Sequence, residues 1–108
     1  MPDRAPETVE LRRLRRKIDA LDRRLVALLN ERAELARDVG REKVRVGRRQ
    51  IRDVEREREV LLRVTMANQG PIPQADLLTI YRRLMAATRA LEAGDRARLP
   101  DRDDGAGA

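Results

Sequence analysis

Between Leu14 and Val39 the apolar residues fall at Leu14, Ile18, Leu21, Leu25, Leu28, Leu35 and Val39, in steps of four and three with Arg32 taking the one missing place. That spacing predicts an amphipathic helix. No Gly or Pro occurs from Glu7 to Val39, and the helix can pass Gly40 at a cost and run on to Val44. A loop from Arg45 to Ile51, containing Gly47, leads to a second periodic segment at Val54, Leu61 and Val64, with Val60 and Ala67 beside it. Asn68-Gln69-Gly70-Pro71 then supplies a C-terminal glycine and a proline that cannot continue a helix. Pro73 suits the first turn of a third helix, carried by Leu77, Ile80, Tyr81, Leu84, Met85 and Leu91 and ending near Gly94. The expected organisation is a flexible N-terminus over 1–6, one helical domain over 7–94 and a disordered tail over 95–108, which is charged, rich in Gly and Ala, and without periodicity.

The predicted class is all-α, a three-helix protomer with one very long first helix. At 1.5 Å per residue that helix is roughly 55 Å long, whereas a compact domain of this size has a radius of gyration of only about 13 Å. A helix that protrudes with a continuous apolar seam needs a second chain to cover it, so the simplest assembly is an intertwined homodimeric helical bundle.

Composition narrows the chemistry. One Tyr, no Phe and no Trp make the core aliphatic. With neither Cys nor His, disulfides, thiol nucleophiles, imidazole bases and the usual zinc sites are excluded. The absence of Cys is compatible with a reducing cytoplasm. No apolar run approaches membrane-spanning length, and Met1 to Pro6 lacks the apolar stretch of a signal peptide, so a soluble cytoplasmic protein is expected. The net charge of +6 comes from 25 Lys and Arg interleaved with 19 Asp and Glu, as on solvated helix faces. A basic helical module binding nucleic acid or an acidic partner is the alternative of a different class. Neighbouring acids that match the basic residues, and the lack of aromatics to stack bases, weigh against it.

Charged residues on the apolar faces carry the functional signal. Arg32 and Lys43 both lie on the stripe of the first helix, about three turns and about 16 Å apart. Buried guanidinium and ammonium groups require anions. Either Arg32 sets the register of a coiled coil and Lys43 is a frayed helix end, or the two bracket a compact molecule with two carboxylates. In the second helix Glu57 shares a face with Val54, Leu61 and Val64, and Asp53 stands four residues before it. Asp53 is an N-cap and Glu57 a partner for Arg56 or Arg32, or both accept from ligand hydroxyls while Arg56 reaches a carboxylate. Thr88 and Glu92 are placed toward the core of the third helix. Several polar groups converging within an aliphatic bundle favour a pocket. Arg15 lies about 25 Å and about 100° from Arg32; it is either a solvated arginine or a residue serving the site of a second chain.

The stretches Leu14-Arg15-Arg16-Lys17-Ile18-Asp19-Ala20-Leu21-Asp22, Ala27-Leu28-Leu29-Asn30-Glu31-Arg32, Val39-Gly40-Arg41-Glu42-Lys43 and Arg52-Asp53-Val54-Glu55-Arg56-Glu57-Arg58 together resemble the all-helical, type II chorismate mutases. A looser match runs through Gly70-Pro71-Ile72-Pro73, Ile80-Tyr81-Arg82-Arg83-Leu84 and Thr88 to Glu92. The resemblance implies a dimeric enzyme that isomerises chorismate to prephenate, in phenylalanine and tyrosine biosynthesis, without metal or organic cofactor. It implies that Arg15 of the partner subunit, Arg32 and Arg56 hold the two substrate carboxylates and that Lys43 sits near the enolpyruvyl carboxylate and the ether oxygen. By the same resemblance Asp53 and Glu57 meet the ring hydroxyl, Val39 forms apolar wall, Thr88 stands where the family often has Ser, and Glu92 donates a hydrogen bond to the ether oxygen. An ionised carboxylate only accepts, so Glu92 serves in that way when it carries a proton. Close relatives of the family eliminate pyruvate from isochorismate or rearrange 4-amino-4-deoxychorismate on the same bundle, so these two reactions stand beside the mutase reading.

Overall fold

Thr8 starts the first helix: its hydroxyl oxygen accepts from the backbone N–H of Leu11 at 3.0 Å, satisfying one of the amides that a helix leaves unpaired at its start. The protein is described by a computed structural model covering residues 5–99. Helix α1 spans Val9–Arg45, with acidic Glu10 in its first turn and Lys43 and Arg45 in its last, as the helix dipole favours. It runs unbroken through Gly40. It closes at Gly47, whose φ of 81° is one that side chains with a Cβ rarely adopt. Gly47 N donates to Val44 O at 3.1 Å and Arg48 N to Lys43 O at 2.8 Å, the paired closure of a Schellman motif.

Helix α2 is Val54–Ala67, capped by Asp53, whose Oδ1 accepts from Arg56 N at 3.0 Å. The turn that follows is organised by Asn68. Its Oδ1 accepts from Gly70 N at 2.9 Å, while its Nδ2 donates to Ile72 O at 3.1 Å and to Gln74 Oε1 at 2.9 Å. Gly70 has a φ of 77° and is joined to Pro71 by a cis peptide bond. Helix α3 is Gln74–Ala97, so Pro73 stands at the N-cap, one place before the first helical turn that the sequence suggested.

The third helix also ends later than its pattern indicates, at Ala97 and not near Gly94. Arg37 grips Asp95 through two hydrogen bonds of 2.9 Å, one from Nε to Oδ2 and one from Nη2 to Oδ1. Arg96 donates to the carbonyls of Arg48, at 3.4 Å, and of Arg49. These partners lie some fifty residues away in sequence, and they hold the last turn past a glycine that locally reads as a stop. Residues 1–4 of the expected N-terminal segment and residues 100–108 of the expected tail lie outside the described residues.

Two compact units meet between Glu34 and Leu35, within α1. In the first, the stripe residues Leu14, Ile18, Leu21, Leu25 and Leu28 are 43–57% exposed. The second holds the end of α1 together with α2 and α3. Here α2 and α3 pack on each other, with Leu61, Val64, Leu77, Tyr81 and Leu84 half-buried, and Met85 is the buried apolar side chain among the described residues.

The Arg37 guanidinium beside Asp95 holds its carboxyl below the usual carboxylate range, Arg98 adding to the effect. A lowered folded-state value means stability that is complete above the ordinary Asp range and is lost as pH falls through the lowered value. Asp95→Asn should therefore lower the melting temperature at neutral pH and flatten its acid-side decline. Thermal unfolding followed by circular dichroism across the acid range checks this, and an unchanged acid arm in the variant would count against it.

Candidate active site

At the end of α1 the apolar stripe delivers a lysine instead of an aliphatic residue. Lys43 is only 8% exposed and Glu92 of α3 only 7%. Lys43 Nζ donates to Ile51 O at 2.9 Å and lies 3.4 Å from Glu92 Oε1. A buried ammonium is tolerable only with such partners, and this pair joins α1, the connecting loop and α3. The burial excludes the account of Lys43 as a frayed helix end.

A second cluster forms where α2 faces α3. Glu57 is half-buried and is held from two sides, by Arg52 Nε at 3.2 Å and by Arg89 Nη1 of α3. Of the partners anticipated from the sequence, Arg56 is not one that grips it. Arg56 is exposed and pairs with Glu59 at 2.7 Å, one turn along its own helix. Asp53 is the N-cap of α2, as one of the two accounts held, and Arg48 Nη2 lies 3.7 Å from its Oδ2. Thr88 is half-buried, its hydroxyl donating to Met85 O at 2.9 Å and Leu84 O at 3.3 Å.

Val39, one helical turn before Lys43, remains 54% exposed and presents an aliphatic surface. In the first unit Arg15 is exposed and paired with Glu7, while Arg32 is half-buried. Within the second unit the structure therefore assembles Lys43 with Glu92, and Glu57 with Arg52 and Arg89. Asp53 and Arg56 stand at the start of the same α2. The roles of Arg52 and Arg89 carried no sequence signal. Arg52 lies in the loop before α2 and Arg89 on α3, and only the packing of α2 on α3 brings Arg89 to a carboxylate 32 positions earlier.

An aliphatic three-helix fold that buries an ammonium beside a carboxylate, with further carboxylates pinned by arginines, defines a helical protein with a charged site and no nucleophile of the Cys or His kind. The description Chorismate mutase type II matches residues 14–93, and the chain belongs to that family. The chorismate mutase (Form II) of Thermus Thermophilus superposes with a TM-score of 0.73 at 30% identity, over 78% of this chain and 94% of that one. The bifunctional chorismate mutase/prephenate dehydratase of Aquifex aeolicus is 39% identical over 87 residues, and that of Pseudomonas aeruginosa 36% identical over 87. Each alignment covers 77% of this chain and 24% of the relative, so the chain spans about a quarter of the length of these curated relatives. The Escherichia coli K12 enzyme of the same name is 53% identical over a shorter stretch of 51 residues.

Removing one member of the buried pair should be costly and removing both much less so. Lys43→Met strands the Glu92 carboxylate and should destabilise the fold by about 3–5 kcal/mol. Lys43→Met with Glu92→Leu should recover most of that loss. Urea unfolding at fixed protein concentration measures the difference, and equal stability of the single and double variants would contradict the pairing.

Proposed function

We propose that the chain is a chorismate mutase, converting chorismate to prephenate by a Claisen rearrangement in the supply of phenylalanine and tyrosine. The observation that carries this reading is the buried Lys43–Glu92 pair in a chain of the type II family. The reaction breaks an ether bond and forms a carbon–carbon bond in one pericyclic step with no proton transfer. Catalysis then consists of holding an extended dianion in its folded, reactive shape and meeting the negative charge that develops on the ether oxygen. A chain without His or Cys can do both.

Lys43 suits the second task. An ammonium has three N–H bonds, and Ile51 O and Glu92 Oε1 engage two. The third, in this reading, meets the ether oxygen and the neighbouring carboxylate, with Glu92 on the other side of that oxygen. Glu57, fixed by Arg52 and Arg89, and Asp53 receive the ring hydroxyl. Arg56 exchanges its surface partner Glu59 for a substrate carboxylate, an exposed pair of that kind being worth little. Arg32 and the Arg15 of a second copy hold the carboxylates, Val39 supplies apolar wall and Thr88 lies alongside Glu92 on α3.

The exposed stripe of α1 calls for a second copy. Leu14, Ile18, Leu21, Leu25, Leu28, Leu35 and Val39 are each 43–60% exposed along one stripe of α1, and among the described residues the buried apolar core is Met85 alone. A homodimer in which the α1 stripes cover each other removes that surface from water. Among the described residues no helix is long and apolar enough to cross a membrane, and the cytoplasm is the proposed location.

The direct test mixes the chain with chorismate and follows loss of its diene absorbance and appearance of prephenate. Turnover supports the reading, and its absence would sink it. Arg15→Ala and Arg32→Ala should each reduce turnover by at least about a hundredfold. Mixed dimers carrying one variant per chain should regain about half the sites, because one pocket then collects both defects and the other neither. Verified mixed dimers without recovery would assign both arginines to one chain. Sedimentation equilibrium should find no folded monomer at micromolar concentration, unfolding and dissociation being coupled.

A further inference from the structure

We propose that Gly40 is a positioning residue for this site: its missing side chain is what allows Glu92 to lie against α1 beside Lys43. The catalytic half of the proposal rests on the chorismate mutase reading above. Gly40 is buried in the interior of α1, where glycine costs about 1 kcal/mol relative to alanine. Its backbone does not require it, since the positive-φ glycines are Gly47 and Gly70. What requires it is a close approach. A Cβ at residue 40 would stand 3.0 Å from Glu92 Cγ, 3.1 Å from Glu92 Oε1 and 3.3 Å from Glu92 Cδ. All three are atoms of one side chain, and Oε1 is the oxygen that lies 3.4 Å from Lys43 Nζ.

Space in which the strain could be relieved adjoins both residues. Gly40 and Glu92 both border a cavity of about 320 Å³ whose walls include Arg37, Val44, Asp95 and Leu99. A methyl group at residue 40 can therefore be accommodated by sliding Glu92 into that space, with the helices left in place. A contact of 3.4 Å is already near the outer limit of a hydrogen bond, so a retreat of Glu92 from Lys43 by a few tenths of an ångström breaks it. Alanine at residue 40 then improves the helix and spoils the site. If Gly40 served helix packing alone, alanine would lower stability whether or not Glu92 were present.

The experiment is a double-mutant cycle of Gly40→Ala with Glu92→Ala, read by chorismate kinetics and by melting temperature. Gly40→Ala should lower kcat about tenfold or more, with KM changing less than about threefold and the melting temperature unchanged or higher. In the Glu92→Ala background the same substitution should leave kcat within about twofold and raise the melting temperature by more than it does in the parent chain. A crystal structure of Gly40→Ala should show Lys43 Nζ and Glu92 Oε1 beyond hydrogen-bond distance. A kcat for Gly40→Ala within about twofold of the parent, or an equal loss in both backgrounds, would overturn the proposal. A parent chain that leaves chorismate unconverted overturns the functional reading and the catalytic half with it. The seating of Glu92 is then decided by the melting temperatures, a larger rise in the Glu92→Ala background supporting it and equal rises refuting it.

Discussion

An ammonium group withdrawn from water has to be answered by acceptors, and much of the second unit is arranged around that requirement. Lys43 sits close to the end of its helix, where the Gly47 closure turns the chain back so that the Ile51 carbonyl comes within 2.9 Å of Nζ. The same turn carries Asp53 to the start of α2, so the residue that answers the lysine and the residue that caps the next helix are set by one stretch of backbone. On the other side, α3 continues past Gly94 under the grip of Arg37 on Asp95, just beyond Glu92. The bridge that lengthens α3 thus also fixes the height at which Glu92 meets α1.

The arginines divide into two populations with different physics. Those on outward faces, such as Arg13 with Glu10 or Arg45 with Glu42, pair within one turn of their own helix and are exposed at both ends. Such pairs add little stability, although each lowers the pKa of its carboxylate. Those that bridge elements, Arg37 to Asp95 and Arg89 to Glu57, are partly buried and span sequence separations of 58 and 32 residues. The second population ties one helix to another within the second unit. A chain this rich in charge can therefore devote few of its cations to binding while the remainder keep a long helix solvated.

Much was legible in the pattern of residues. The step of three and four through Leu14 to Val39 defined α1, the Asn68 to Pro71 cluster closed α2, and the intrusion of Lys43, Glu57 and Glu92 into apolar stripes marked the polar residues that the fold brings inward. These features are local or periodic: helix geometry alone determines which positions share a face, and glycine and proline act on their own backbone. The family resemblance was legible for the same reason, being an ordered series of cations and carboxylates on those faces.

Tertiary structure decided the partners. Periodicity places Glu57 on an inward face but contains nothing about the azimuth of α3, so that Arg89 and Arg52 hold it, and not Arg56, could be seen only after packing. Gly94 reads as a stop because its local cost is real; bonds from Arg37 and to the Arg48 and Arg49 carbonyls outweigh that cost. Gly40 reads as a tolerated defect, and its meaning lies in the 3.0 Å that separates its absent Cβ from a side chain on another helix. Local sequence fixes the torsions and the faces of each helix, whereas distances between helices depend on how every side chain at the contact fills space at once.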